Sequence, residues 1–166
     1  GTALEHLQTL MMAHRPTLVV CVGQAGGRAA LSLERVAINL IDARIADNAL
    51  AKPVDEPVVA GGPAAYFSTL PVKAMRVALQ REGLAAEVSQ TAGTFVCNQV
   101  FYGLMHFLAT RRGWRRVRGG FIHVPWLPEQ GTPSMPLEAI VHGLRLAVRV
   151  ALTTPQDLRI AAGQTH

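Results

Sequence analysis

Stretches of helical period alternate along this chain with short apolar runs of strand length, and few folds accept that alternation. Leu4, Leu7 and Met11 share a helical face and lead through Arg15 and Pro16 into the apolar run Thr17–Val22. A turn at Gly23–Arg28 follows, then Val36–Ile41 with the composition of an extended segment, then a loop rich in Asp, Pro and Gly over residues 42–63. Thr69 is placed to cap a helix starting at Pro71, with Val72, Met75 and Leu79 inward and Gly83 at its end. Ala86–Ser89 reads as a short strand. The next helix carries Val100, Phe101, Leu104, Met105 and Leu108, and Phe121–Val124 reads as a buried strand. The last helix, from about Leu137, shows the clearest period, in Leu137, Ile140, Val141, Leu144 and Val148. Such alternation predicts an α/β layered domain over residues 1–152 with a tail over 153–166.

The chain has 166 residues, 49% of them hydrophobic, enough for one domain with a real core. No apolar run is long enough to span a bilayer, and no signal-peptide pattern is legible at the start. The two cysteines, Cys21 in an apolar run and Cys97 in a glycine-flanked turn, suggest no disulfide framework, so a reducing compartment is expected. Much of the formal net charge of +5 comes from Arg111, Arg112, Arg115, Arg116 and Arg118. Phosphate contacts to nucleic acid are one use of such a run. A solvated loop after a helix end is the preferred one, because cations favour helix C-termini and no nucleic-acid signature accompanies the arginines.

Chemistry concentrates at Thr91-Ala92-Gly93-Thr94-Phe95-Val96-Cys97-Asn98, where a small-residue turn delivers Cys97 to the first turn of a helix. Unpaired N–H groups and the positive end of the dipole there favour a thiolate, the nucleophilic form. A buried thiol acting only as a small hydrophobe is the alternative. Among six histidines, His6, His14, His106 and His142 fall on helices and His166 is terminal. His123 sits in an apolar strand beside Pro125, where an imidazole needs a partner. Glu34, Asp42 and Asp47 are all open as the group that orients it; Glu34 precedes Arg35, as one half of a surface ion pair would, so from the residues alone its claim is weaker than that of either aspartate. Gln24, Cys97 and His123 stand at or just past strand C-termini, where open α/β sheets form their crevices. No serine elbow, phosphate-binding loop or zinc spacing is present, and Gly23–Gly27 lacks the order of a dinucleotide fingerprint.

These motifs resemble the pyrrolidone-carboxylate peptidase family, the type I pyroglutamyl peptidases. The resemblance runs through Val22-Gly23-Gln24-Ala25-Gly26-Gly27-Arg28, Glu34-Arg35-Val36-Ala37-Ile38-Asn39, Gly61-Gly62-Pro63, the Cys97 turn, Gly119-Gly120-Phe121-Ile122-His123-Val124-Pro125 and Pro128-Glu129-Gln130. It implies a three-layer α/β/α domain with a twisted, mostly parallel open sheet and the active site at the strand C-termini. It implies a triad of Cys97, His123 and Glu34, acting on N-terminal 5-oxoproline with no metal or cofactor. It also implies a cytoplasmic enzyme, often a homotetramer, that takes pyroglutamylated peptides and neither nucleic acid nor membrane. Gln24 (through its main chain), Ile45, Phe95 and Val96 are implied around the substrate ring, with Arg44 as a second oxyanion donor beside the Cys97 N–H. An inactive relative serving as a binding protein is the alternative from another class, and a basic nucleic-acid binder using Arg111–Arg118 is a third. Three departures stand out: the family's opening strand and Gly/Phe-rich loop are not in this sequence, the Gln130–Pro133 connection is short, and Trp126 stands where tyrosine is common.

Overall fold

A computed structural model describes residues 2–163. The elements are α1 (Ala3–His14), β1 (Leu18–Gln24), β2 (Leu31–Glu34), β3 (Val36–Ile38), β4 (Ala65–Phe67), α2 (Val72–Arg81), β5 (Ala86–Ser89), α3 (Val96–Thr110), β6 (Arg118–Val124) and α4 (Leu137–Thr153). One open sheet has the order β1-β6-β2-β5, and β3 pairs with β4 in a second, two-stranded sheet. The expected α/β class with an open sheet and no barrel closure is what these elements form. Backbone contacts divide the chain into two compact units.

One unit comprises Gly1–Cys21, Val36–Thr69 and Thr91–Gly120. Its axis is α3, whose Phe101, Tyr102, Leu104, Met105 and Leu108 are buried. Helix α1 lies close against it because Gly103 has no side chain, and a Cβ there would overlap Leu4. Asn98 is fully buried and makes three hydrogen bonds to the segment beside it: Oδ1 accepts from the Ile38 N–H, and Nδ2 donates to the Ile38 and Leu40 carbonyls. The extended run read from the sequence as Val36–Ile41 is a strand only as far as Ile38; beyond it the Asn39 N–H donates to the Ala64 carbonyl, Ile41 forms an isolated bridge with Glu56, and Asn98 takes the Leu40 carbonyl. The arginine run sits after the end of α3, as the preferred reading holds. Arg111 lies over the Phe107 ring, Arg115 donates to the Ala109 carbonyl, and Trp114 is buried against Phe107 with Arg15 stacked on it.

The other unit comprises Val22–Arg35, Leu70–Gln90 and Phe121–His166. Strand β2 is parallel to β5, with Leu31 opposite Ala86, and antiparallel to β6, with Ser32 opposite His123 and Glu34 opposite Phe121. No strand is read from the sequence at Leu31–Glu34: Leu31 and Leu33 alternate with Ser32 and Glu34 over only four residues, and all four are buried, so the alternation does not divide a buried face from an exposed one. Helix α2 begins at Val72, one residue later than expected, and Thr69 does not cap it. Thr69 instead exchanges hydrogen bonds with Gly119 in the first unit, while the Asp157 carboxylate accepts the Lys73 and Ala74 N–H groups. Helix α4 presents Ile140, Gly143, Ala147 and Ala151 to the core, whereas Leu137 and Val141 are exposed. The inner face is thus made largely of small residues, and Gly143 admits Leu31 and Leu79 to its backbone. The expected tail begins where α4 ends, but it is tied down as far as it is described: Lys73 Nζ donates to the Ile160 carbonyl and Ala162 is buried. His166 and the last residues of that tail lie outside the described residues.

Candidate active site

In the first unit, the backbone between β5 and α3 turns at Gly93, whose φ of +77° favours glycine, and Thr91 Oγ1 accepts the Gly93 N–H. Phe95 is the N-cap, in extended conformation, and Cys97 is the second residue of α3. No side chain caps this helix start, so its first N–H groups and the dipole face whatever stands before Cys97. The Cys97 thiol is half-buried. Two hydrogen bonds lash the turn to the chain that carries Arg44 and Ile45: the Asp42 N–H donates to the Thr94 carbonyl, and Thr94 Oγ1 donates to the Asp42 carbonyl. With Asn98 holding Ile38 and Leu40, residues 38–42 run beside the start of α3. Arg44 and Ile45 follow Asp42 along the chain, with Arg44 exposed and Ile45 65% exposed. Phe95 also borders a cavity of about 370 Å³ together with Ile41, Pro53 and Gln99. Asp47 accepts the N–H groups of Ala49 and Ala51 and so holds its own loop.

The other cysteine is chemically distinct. Cys21 lies within β1 and is half-buried, and desolvation pushes its thiol pKa up to about 11. At neutral pH it stays protonated.

In the second unit, the antiparallel register explains an unusual buried contact. Ser32 opposes His123 and Glu34 opposes Phe121, so Glu34 and His123 are diagonal neighbours pointing to one face. His123 Nδ1 lies 2.7 Å from Glu34 Oε1, with Glu34 fully buried and His123 3% exposed. The Phe121 ring packs 4.8 Å from the imidazole, centroid to centroid. Of the three carboxylates open at the sequence level, Glu34 is the one found on His123. It is not the surface partner of Arg35, because its ion pair is formed with Arg28, whose Nη1 is 2.7 Å from the same Oε1. Arg28 is the site-adjacent residue that spacing did not disclose; it lies in a glycine turn, six residues from Glu34 and outside any periodic element. Gln24 ends β1, and its side chain forms a reciprocal amide pair with Gln130, which also accepts the Leu127 N–H. That pair leaves the Gln24 main chain as the part the sequence reading concerned.

The first unit thus carries a cysteine in the first turn of a helix. The second holds a buried imidazole bonded to a carboxylate.

The sequence profile of the pyroglutamyl peptidase family matches residues 1–154. The pyrrolidone-carboxylate peptidase of Erwinia tasmaniensis is 57% identical over 171 residues, an alignment covering 100% of this chain and 78% of that protein. Its counterpart in Cupriavidus taiwanensis is 59% identical over 171 residues, covering 100% and 79%. Among solved structures, pyroglutamyl peptidase I from Bacillus amyloliquefaciens superposes with a TM-score of 0.92 at 45% identity, covering 95% of this chain and 76% of that one. The pyrrolidone carboxyl peptidase of Thermococcus litoralis gives 0.90 at 35% identity, covering 95% and 77%.

Proposed function

The chain belongs to the pyroglutamyl peptidase family, and from that premise we propose that it is a cysteine exopeptidase releasing N-terminal 5-oxoproline from peptides. The observation that carries this reading is the buried Glu34–His123 contact of 2.7 Å, the pairing by which a carboxylate orients an imidazole general base. The Cys97 thiol at the start of α3 is the proposed nucleophile. The reading requires its sulfur and the His123 imidazole to meet during the reaction.

The Cys97 thiolate attacks the carbonyl that joins the lactam ring to the next residue. His123 takes the thiol proton and passes it to the departing amine, and Glu34, on Nδ1, fixes the tautomer so that transfer falls to Nε2. The tetrahedral oxyanion is held by the Cys97 N–H at the helix start, with the Arg44 guanidinium as second donor. Water, activated by His123, then cleaves the thioester and frees pyroglutamate. Gln24 (main chain), Ile45, Phe95 and Val96 are the proposed walls of the ring pocket. The substrate ring is neutral, so the apolar side chains of the exposed Ile45 and the half-buried Phe95 suit it. A pocket that pairs a lactam N–H and C=O should reject proline, which lacks the ring carbonyl, by about 10⁴-fold or more. Residues 1–152 are proposed to act as one peptidase domain, in a homo-oligomer, in the cytoplasm, where both free thiols would persist.

The test is release of a reporter amine from a pyroglutamyl amide by the purified protein, compared with the prolyl amide. Release should be lost in Cys97→Ser and in His123→Ala with the circular dichroism unchanged. Full activity in Cys97→Ser would overturn the nucleophile assignment.

A further inference from the structure

Arg28 reaches Glu34 because of the turn that follows β1. A Cβ on Gly26 would overlap the Trp126 ring, and Gly27 has a φ of +83°, so the backbone reverses tightly there and only glycine fits both positions. Arg28 is thereby directed back to the end of β2. Its side chain is 23% exposed, its Nη1 is 2.7 Å from Glu34 Oε1, and it also approaches Ser89 Oγ at 3.4 Å. His123 Nδ1 is 2.7 Å from that same oxygen. Glu34 Oε2 is buried and has no hydrogen-bond partner among the described residues. One carboxylate oxygen thus serves a guanidinium and an imidazole, rather than each taking its own.

That sharing has an electrostatic consequence. An isolated buried carboxylate would hold the imidazolium tightly and make it a poor acid toward the leaving amine. A cation on the same oxygen offsets part of that hold. We propose that Arg28 is a positioning residue that sets the proton affinity of His123 through Glu34, an inference resting on the reading of His123 as the general base. The other charged groups of this unit around the pair are Arg35, which follows Glu34, and Glu87 on β5. Glu87 accepts the Ser32 hydroxyl at 2.7 Å, opposite His123 in the sheet register. Neither bonds Glu34 Oε1, so the change on removing Arg28 is assigned to that oxygen.

The experiment follows the His123 ring by NMR titration of the labelled protein, assigned from its loss in His123→Ala, alongside the pH profile of kcat/KM. In Arg28→Gln and Arg28→Met, the His123 midpoint and the acidic limb of kcat/KM should both move up by about one pH unit. Arg28→Lys should stay within a few tenths of wild type, and in a Glu34→Gln background Arg28→Gln should shift the midpoint by less than half as much. An unshifted midpoint in a folded neutral variant overturns the proposal, as does an equal shift without Glu34. Loss of the fold in both neutral variants would assign Arg28 to stability and overturn it as well. The titration needs no turnover, so wild-type protein that failed to cleave pyroglutamyl amides would remove the catalytic reading while the titration still decided Arg28.

Discussion

Glu34 shows how much one side chain can depend on its neighbours. It is fully buried, with one oxygen shared by His123 and Arg28 and the other unpaired among the described residues. Glu34→Gln keeps the shape but removes the charge that stabilises the imidazolium. We expect kcat/KM for pyroglutamyl amide to fall by about 10²–10⁴-fold, with wild-type circular dichroism. Asn98 poses a question of stability alone. Its three hydrogen bonds to Ile38 and Leu40 are the only reason a polar side chain is tolerated there, so Asn98→Ala strands buried backbone groups. Unfolding in urea should show a loss of about 2–4 kcal/mol. At residue scale, the sequence exposed Cys97 and His123, because a thiol at a helix start and a histidine in an apolar strand are both anomalous. It could not expose Arg28, since a cation in a glycine turn looks like any solvated loop residue.

Helix α2 shows that an element can be legible while the device that starts it is not. The period of Val72, Met75 and Leu79 and the stop at Gly83 are local, and the structure has the helix where they put it. Its N-terminal N–H groups are satisfied by Asp157, which lies 84 residues beyond Lys73 and so left no local signature. Asp157→Ala should lower the melting temperature by about 2–4 °C, corresponding to about 1 kcal/mol for a lost cap. Thr69→Val, by contrast, should leave the α2 N-terminus intact in hydrogen exchange, because Thr69 binds Gly119 instead. Strand β2 was missed for a related reason: Ser32 is polar yet fully buried, and its hydroxyl is satisfied by Glu87 on the parallel neighbour. Helix α4 was found by its large residues but packs by its small ones, since Gly143 and Ala147 allow close approach where Leu137 would not.

Across the whole molecule, the two thiols should part company. Desolvation holds Cys21 near a pKa of about 11, so iodoacetamide at pH 8 should add one label, and Cys97→Ser should reduce this to none by intact mass. The same burial links stability to pH. The folded state favours protonated Cys21, so its contribution is intact below about 9 and is lost as the pH rises toward about 11. Cys21→Ala should therefore flatten the decline of urea midpoints over that window, relative to wild type. The chain spans 78% of the length of its Erwinia tasmaniensis relative.

By itself the sequence determined the class of fold and the period of most helices, and it nominated Cys97 and His123 as candidate reactive side chains. Those properties are written in local spacing and in residue types out of place. Only the tertiary structure decided that Glu34 faces His123, that Arg28 shares its oxygen and that Asp157 opens α2. Each depends on strand register or on a contact between residues distant in the chain, and hydrogen bonds of that kind are set by three-dimensional closeness, of which composition and periodicity carry no record.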